Sequence, residues 1–123
     1  SMEKLKQCTT CGTWFTLEDI LTEPAVHPLG MLCIDDKRIQ AYYFFQHRLT
    51  GCDTTFAMSV SEFAERIEEP IPPPSSTAPS PCTGHCVHLG RLSQCTTDCH
   101  LSPFRQLLLD MIAKKSALED KKA

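Results

Sequence analysis

Long apolar runs are missing from this sequence of 123 residues. Its strongly apolar stretches span only a few residues, whereas a membrane helix needs roughly 20. A secretory signal, with its basic, apolar and small-residue regions, is also missing. These absences exclude a membrane span and lead us to expect a soluble, cytoplasmic protein.

Motifs of the common enzyme classes are missing as well. The sequence has no recognisable Ser/His/Asp set, no glycine-rich phosphate loop and no H-E-x-x-H zinc-protease motif. We therefore expect a protein that is not an enzyme, and a metal-dependent enzyme is the least favoured class of function.

Positive charge is scarce: 12 Lys and Arg stand against 15 Asp and Glu, a formal net charge of −3. Phosphate binding depends on clustered cations, and only Lys114, Lys115, Lys121 and Lys122 resemble a cluster. This charge disfavours nucleic acid as a partner.

The two parts of the chain differ in charge. Residues 1–69 carry six cations and eleven carboxylates, net −5, and residues 82–123 carry six cations and four carboxylates, net +2. The asymmetry favours attraction between the two parts or between copies.

Cysteine, in contrast, is abundant, with eight in the chain. A reducing compartment keeps thiols free, so this number indicates metal ligation or thiol chemistry rather than a disulfide scaffold. The stretch PIPPPSSTAPSP at residues 70–81 holds six of the nine prolines and no charge, which predicts an extended linker. It divides the cysteines equally between residues 1–69 and 82–123. Modules this small often need a metal to be stable.

The first module begins with QCTTCGTWF, in which Cys8 and Cys11 are followed by Gly12. Two thiolates at this spacing can bind one tetrahedral ion from a tight turn. The motif resembles the knuckle of zinc-ribbon and rubredoxin-like sites, which implies a second ligand pair. HRLTGC supplies that pair as His47 and Cys52, so we predict a zinc site of Cys8, Cys11, His47 and Cys52.

The remainder of this module predicts a short antiparallel sheet and two short helices. Thr16 caps a helix over TLEDILT, and Pro24 and Pro28 then break the chain. GMLCI, IQAYYFFQH and TTFAMSV have the composition of strands, and Ser59 or Ser61 caps a helix that runs to about residue 68.

Two residues leave questions open. Cys33 lies within a strand and is interpreted as a buried apolar residue, although it could replace His47 as a ligand. His27 is interpreted as a loop residue outside the site.

The second module holds Cys82, Cys86, Cys95 and Cys99 as two C-x3-C pairs with a turn near Gly90. Residues at i and i+4 share a helix face, so a helical hairpin would bring the four sulfurs together. One zinc ion is the favoured outcome, with an iron–sulfur cluster or free thiols as alternatives. The pattern also resembles the twin C-x3-C hairpins of small chaperones of the mitochondrial intermembrane space. That resemblance implies two disulfides instead, although the loop here is shorter.

Three histidines accompany these cysteines: His85, His88 and His100. Each could replace a cysteine as a ligand, or its ring N–H could donate a hydrogen bond to a ligating thiolate. His100 follows Cys99 directly, but the C-x3-C-H spacing departs from the C-x-x-C-H of covalent haem attachment. The sequence leaves their roles open.

The last segment predicts an amphipathic helix with Ser102 as its N-cap and Pro103 at its first position. Its apolar stripe consists of Phe104, Leu107, Leu108, Met111, Ile112 and Leu118. The charged residues predicted to lie largely away from it are Arg105, Asp110, Lys114 and Lys115. The stripe could pack on the cysteine hairpin, on the first module or on a second copy, so self-association is one hypothesis.

The complete prediction is an α+β fold in three parts: a zinc-ribbon-like module at 1–69, a linker at 70–81 and a helical cysteine module at 82–123. Two structural zinc ions are expected, and both sites use four protein ligands, which disfavours catalysis. We therefore predict a non-enzymatic zinc protein whose two metal sites support a protein–protein interaction or regulatory module. The alternative is a redox-active thiol or iron–sulfur protein.

Overall fold

A computed structural model shows an α+β fold with two antiparallel sheets and few helices. It describes residues 6–8, 10–34, 40–48, 52–71, 89 and 100–122. The four C-terminal cysteines and most of the predicted linker lie outside these residues. The predicted C-terminal hairpin and the domain boundaries therefore stay predictions.

The first sheet is a two-stranded hairpin of β1 (Lys6–Gln7) and β2 (Trp14–Phe15). Lys6 pairs with Phe15 and Gln7 pairs with Trp14. Phe15 points into the core, whereas Trp14 is 47 % exposed. The loop between these strands carries the C-x-x-C pair.

Helix α1 (Leu17–Thr22) begins as its sequence predicts. The Thr16 side chain accepts a hydrogen bond from the Asp19 N–H, and the Asp19 carboxylate accepts one from the Thr16 N–H. This reciprocal capping box satisfies two backbone donors that a helix N-terminus leaves free. The helix buries Ile20 and leads into the main sheet.

The main sheet has three antiparallel strands in the order β3-β4-β5: Val26–Cys33, Ala41–His47 and Thr54–Ser59. Along β4, residues 41, 43, 45 and 47 are buried and their neighbours are more exposed, as expected for alternating side chains. The buried face therefore carries Tyr43 and Phe45 in its middle and His47 at its end. A 3₁₀ helix (Val60–Arg66), capped by the Ser59 side chain, follows β5 and buries Phe63.

The expected break at Pro28 is wrong, because β3 starts at Val26 and includes both His27 and Pro28. The pairing of β3 with β4 shifts between Pro28 and Gly30. Among the described strands β3 lies at the edge of its sheet. An edge strand with a bulge can include a proline, because the backbone N–H that proline lacks is not needed for pairing there. His27 is consequently a strand residue rather than a loop residue.

Helix α2 (Ser102–Lys122) begins at Ser102 itself, and the Arg105 N–H donates to the Leu101 carbonyl. The helix packs on β3, α1 and the 3₁₀ helix. Phe104, Leu108 and Met111 are buried against this core, and the Tyr43 hydroxyl donates to the Phe104 carbonyl over 2.6 Å. Part of the predicted stripe thus docks on the first module.

Two cations of α2 are placed differently from the prediction. Arg105 and Lys115 are buried on the packed face, whereas Asp110 and Lys114 are exposed as expected. The Lys115 ammonium donates to the carbonyls of Ile20 and Val26, each over 2.5 Å. It lies at the C-terminal turn of α1, where carbonyls lack helical partners and can accept hydrogen bonds from a side chain.

Leu89 is the one described residue between the two C-x3-C pairs, and it contacts the main sheet. A Cβ atom at Gly30 would lie 2.1 Å from the backbone oxygen of Leu89. Any larger residue at position 30 would therefore push these backbones apart. Leu89 thus lies against β3 at Gly30.

Candidate metal centre

The first half of the site is the turn between β1 and β2. The Cys8 N–H donates to the Thr13 carbonyl and the Gly12 N–H donates to the Cys8 carbonyl, both over 2.8 Å. Gly12 has φ of 78°, a left-handed conformation that glycine adopts without a Cβ penalty. The turn directs Cys8 inward and leaves Cys11 exposed.

The second half lies between β4 and β5. His47 is the last residue of β4 and its side chain is buried. Cys52 lies on the turn into β5, and Asp53 follows with φ of 48°, a conformation in which aspartate is enriched among non-glycine residues. The reversal at Asp53 returns the chain to β5 and keeps Cys52 beside the end of β4.

These two halves bring four donor atoms together. The Sγ atoms of Cys8 and Cys52 are 3.3 Å apart, and the His47 Nδ1 atom lies 3.6 Å from Cys11 Sγ and 3.5 Å from Cys52 Sγ. All four ligand atoms lie within 4.8 Å of one another. Among the residues that the structure describes, this is the one group of three or more such side chains close enough to hold a metal ion.

Neighbouring side chains hold the ligands in place. The His47 ring meets Phe15 edge to face, with centroids 5.0 Å apart, so its rotation is restricted and Nδ1 stays turned toward the sulfurs. Thr13 Oγ1 lies 3.1 Å from Cys11 Sγ, and Thr54 Oγ1 lies 3.4 Å from Cys52 Sγ. A hydrogen bond from Thr54 to Thr10 joins the two turns. Such outer contacts orient metal ligands and tune their basicity.

The three thiols have different proton affinities. Burial raises the pKa of Cys8, but hydrogen bonds from the Cys11 and Thr10 backbone and from Cys52 lower that pKa to about 7 overall. Hydrogen bonds from Thr13 also lower the pKa of Cys11. The Thr54 hydroxyl lowers the pKa of Cys52, yet burial and the two neighbouring thiols together raise it. The pKa values of Cys8 and Cys11 are therefore lowered, whereas that of Cys52 is raised, so the first two thiols ionise more readily.

Three cysteines and one histidine are a ligand set suited to zinc. Zinc binds thiolate and imidazole in tetrahedral sites, and four protein ligands leave no position for water or substrate. The predicted group of Cys8, Cys11, His47 and Cys52 could therefore hold one metal ion, as in a zinc-binding module.

Cys33 does not belong to this group. It pairs with Ala41 at the far end of β4, whereas Val26 pairs with His47. Six residues of strand separate the two ends, about 20 Å at ~3.3 Å per residue. The geometry therefore favours His47 over Cys33 as the fourth ligand.

The histidines outside the group have other surroundings. His27 lies in β3, and the His100 ring lies 5.7 Å from the Phe104 ring at the start of α2. His85 and His88, like Cys82, Cys86, Cys95 and Cys99, lie outside the described residues. Whether they bind a second ion or a cluster stays a prediction.

The threonines of the site were not predicted from the sequence. Thr13 and Thr54 each lie two residues from a ligand, at Cys11 and Cys52. Their positions just after the cysteines are the signal that could have indicated them, because short hydroxyl side chains commonly bond to groups two residues away.

Comparisons of the chain with protein-family models, curated proteins and solved structures found no match. None of the helices in the described part of the chain combines the length and apolar character needed to cross a membrane.

Proposed function

We propose that this chain is a non-enzymatic zinc-binding protein whose metal site stabilises a small fold that binds another protein. The observation that carries the proposal is the convergence of Cys8, Cys11, His47 and Cys52 within 4.8 Å. Two of these ligands come from the β1–β2 turn and two from the β4–β5 region. One ion would therefore tie a small hairpin to the main sheet.

The closed ligand set supports a structural role over a catalytic one. A catalytic zinc normally keeps one position for water or substrate, and here four protein donor atoms lie within 4.8 Å of one another. Structural zinc contributes on the order of 10 kcal/mol to the folding of small modules. That is ample for a hairpin whose strands have two residues each.

Metal analysis of the chain, purified under reducing conditions without chelators, tests this proposal. We expect two zinc ions per chain: one at the described site and one at the C-terminal cysteines. Cys52→Ser should remove one of them. Cys33→Ala is the control, because Cys33 is a buried cysteine that lies outside the group, whereas Cys52 is a partly buried member of it. This substitution should leave the zinc content unchanged.

Two results would contradict the proposal. One is a native chain without zinc after this purification. The other is a Cys52→Ser variant that keeps its full zinc content, because the described group would then not hold the ion.

A redox role is the second candidate, and the short distance between Cys8 and Cys52 favours it. Their sulfurs, 3.3 Å apart, could join as a disulfide if a peroxide oxidised them. The two zinc-bound thiolates would lose two electrons to form the disulfide, and the peroxide would take up those electrons with two protons from solvent to give water, or an alcohol and water. The zinc ion, left with two of its four ligands, would then be released. Zinc release by peroxide that a reductant reverses would support this role, and release that stays irreversible would argue against it.

A further inference from the structure

A surface groove lies away from the metal centre, where α1, the 3₁₀ helix and α2 meet. Its main part has a volume of about 350 Å³ and is lined from all three helices, by Glu18, Glu65 and Asp110 among others. A second cavity of about 270 Å³ continues it along residues 66–69. The two parts share Glu68 and Leu107, so they form one continuous groove.

The rim of the groove is acidic. Its carboxylates are Glu18, Glu65, Glu68, Glu69 and Asp110, and its cations are Arg66 and Lys114. Five carboxylates and two cations give a net charge of −3. Arg66 is engaged with Glu18 over 2.5 Å. Among the described residues no ion pair involves the other three glutamates, so their charge remains available to a partner.

The floor of the groove is apolar. Leu107 and Met111 of α2 line it beside Leu21 of α1, and Ile67 lines its continuation. Leu107, Leu21 and Ile67 are only partly buried although they pack on the core. An apolar strip with charges of one sign along its edges favours a ligand that is both apolar and oppositely charged.

We propose that this groove binds a short basic, amphipathic peptide segment of another protein. An apolar side chain of the segment covers Leu107 and Ile67, and its lysines or arginines pair with Glu65, Glu68 and Glu69. This inference names the partner class of the proposed function and so rests on it. The acidic rim disfavours nucleic acid and anionic membranes, because both repel carboxylates.

Fluorescence anisotropy with a short labelled peptide of alternating lysine and leucine tests the proposal on the zinc-loaded full chain. The native protein should bind it, and the affinity should fall as salt rises, because exposed charge pairs are screened. A peptide with glutamate in place of lysine should not bind. A peptide with serine in place of leucine should bind at least about fivefold more weakly, because it cannot cover the apolar floor.

A pair of charge reversals provides the matched control. Glu68→Lys changes a residue of the groove, and Glu62→Lys changes an exposed residue of the 3₁₀ helix that lies outside its lining. We expect Glu68→Lys to weaken peptide binding at least about fivefold and Glu62→Lys to change it less than about twofold. Equal weakening by both variants would overturn the proposal, because binding would then follow net charge rather than the groove.

Two further results would also overturn it. One is a native protein that holds its zinc but does not bind the lysine–leucine peptide, a result that leaves the zinc proposal intact. The other is a native dimer, seen by sedimentation, that Glu68→Lys converts to monomer, because a second copy would then occupy the groove. Zinc content measured on the same samples separates failure of this inference from failure of the proposed function.

Discussion

The metal centre and the face covered by α2 are formed by different kinds of side chain. At the metal centre, a hairpin of two-residue strands meets the end of β4 through three thiols and an imidazole. At the covered face, Phe104, Leu108 and Met111 pack on the sheet with little exposed surface. The metal centre therefore gathers donor side chains at a hairpin too short to bury much of its own surface, whereas the contact with α2 depends on apolar side chains.

The two regions are nevertheless in physical contact through aromatic rings. Phe15 contacts His47 and stacks on Phe56, which stacks on Phe45. Phe63 then contacts both Phe45 and Tyr43, and Tyr43 bonds to the backbone of α2. Packed chains of this kind can couple distant sites, so the following changes test how far each region depends on the other.

Loss of a buried ligand should have the largest effect. Cys8→Ser removes a thiolate that is 1 % exposed, so we expect it to abolish metal binding at this site. Because structural zinc contributes on the order of 10 kcal/mol and small domains have about 5–15 kcal/mol in total, the fold should melt far below the native temperature. Circular dichroism measures this. A variant that melts within a few degrees of the native protein would show that the metal is dispensable.

Truncation at the covered face should have the next largest effect. Leu108 is fully buried on α2, and Leu108→Ala should lower the free energy of unfolding by about 2–5 kcal/mol. Urea denaturation measures the loss, and zinc content should stay native in the folded protein. If zinc is lost from the folded variant as well, the two regions are not separable.

Lys115 should make the covered face sensitive to alkaline pH. Burial lowers the pKa of Lys115 from 10.5 to about 8, although Glu23 raises it partly. The unfolded chain keeps this proton to higher pH than the folded chain does, so the free energy of unfolding should rise between about pH 8 and 10.5. Lys115→Met should remove this increment. If the free energy of unfolding changes with pH in the same way in the native protein and in the variant, the pH dependence does not come from Lys115.

We expect the smallest loss of stability from a change at Tyr43, the aromatic residue whose hydroxyl bonds to the backbone of α2. Tyr43→Phe removes one buried hydrogen bond to the Phe104 carbonyl and keeps the ring. We expect a loss of about 0.5–1.5 kcal/mol in the free energy of unfolding, measured by urea denaturation. A loss as large as that of Leu108→Ala would mean that this bond, rather than apolar burial, holds the helix.

Local signals were sufficient for much of the fold and of the site. Thr16 caps α1 as predicted, and Asp19, three residues later, completes a capping box with it. Cys8 with Cys11 and His47 with Cys52 are close pairs at turns, and the structure brings the two pairs together. Each of these features depends on a few neighbouring residues, which is why the sequence alone could indicate them.

Features that depend on distant partners were not predictable in this way. Pro28 fits into β3 because a bulge and an edge position accommodate it. Lys115 is buried because two carbonyls from α1 and β3 meet its ammonium. These partners are distant in sequence. Helical spacing therefore placed Lys115 on the exposed face, and the presence of Pro28 predicted a break, and both predictions were wrong.

X-ray absorption at the zinc edge, recorded on native protein and on His47→Cys, tests the central claim most directly. The substitution keeps four ligands and exchanges a nitrogen for a sulfur. We predict that the native protein shows zinc–nitrogen distances of about 2.0–2.1 Å beside zinc–sulfur distances of about 2.3 Å, and that the nitrogen signal falls in the variant while zinc is retained. Native protein without zinc, zinc bound by sulfur alone, or a nitrogen signal unchanged in the variant would contradict the account.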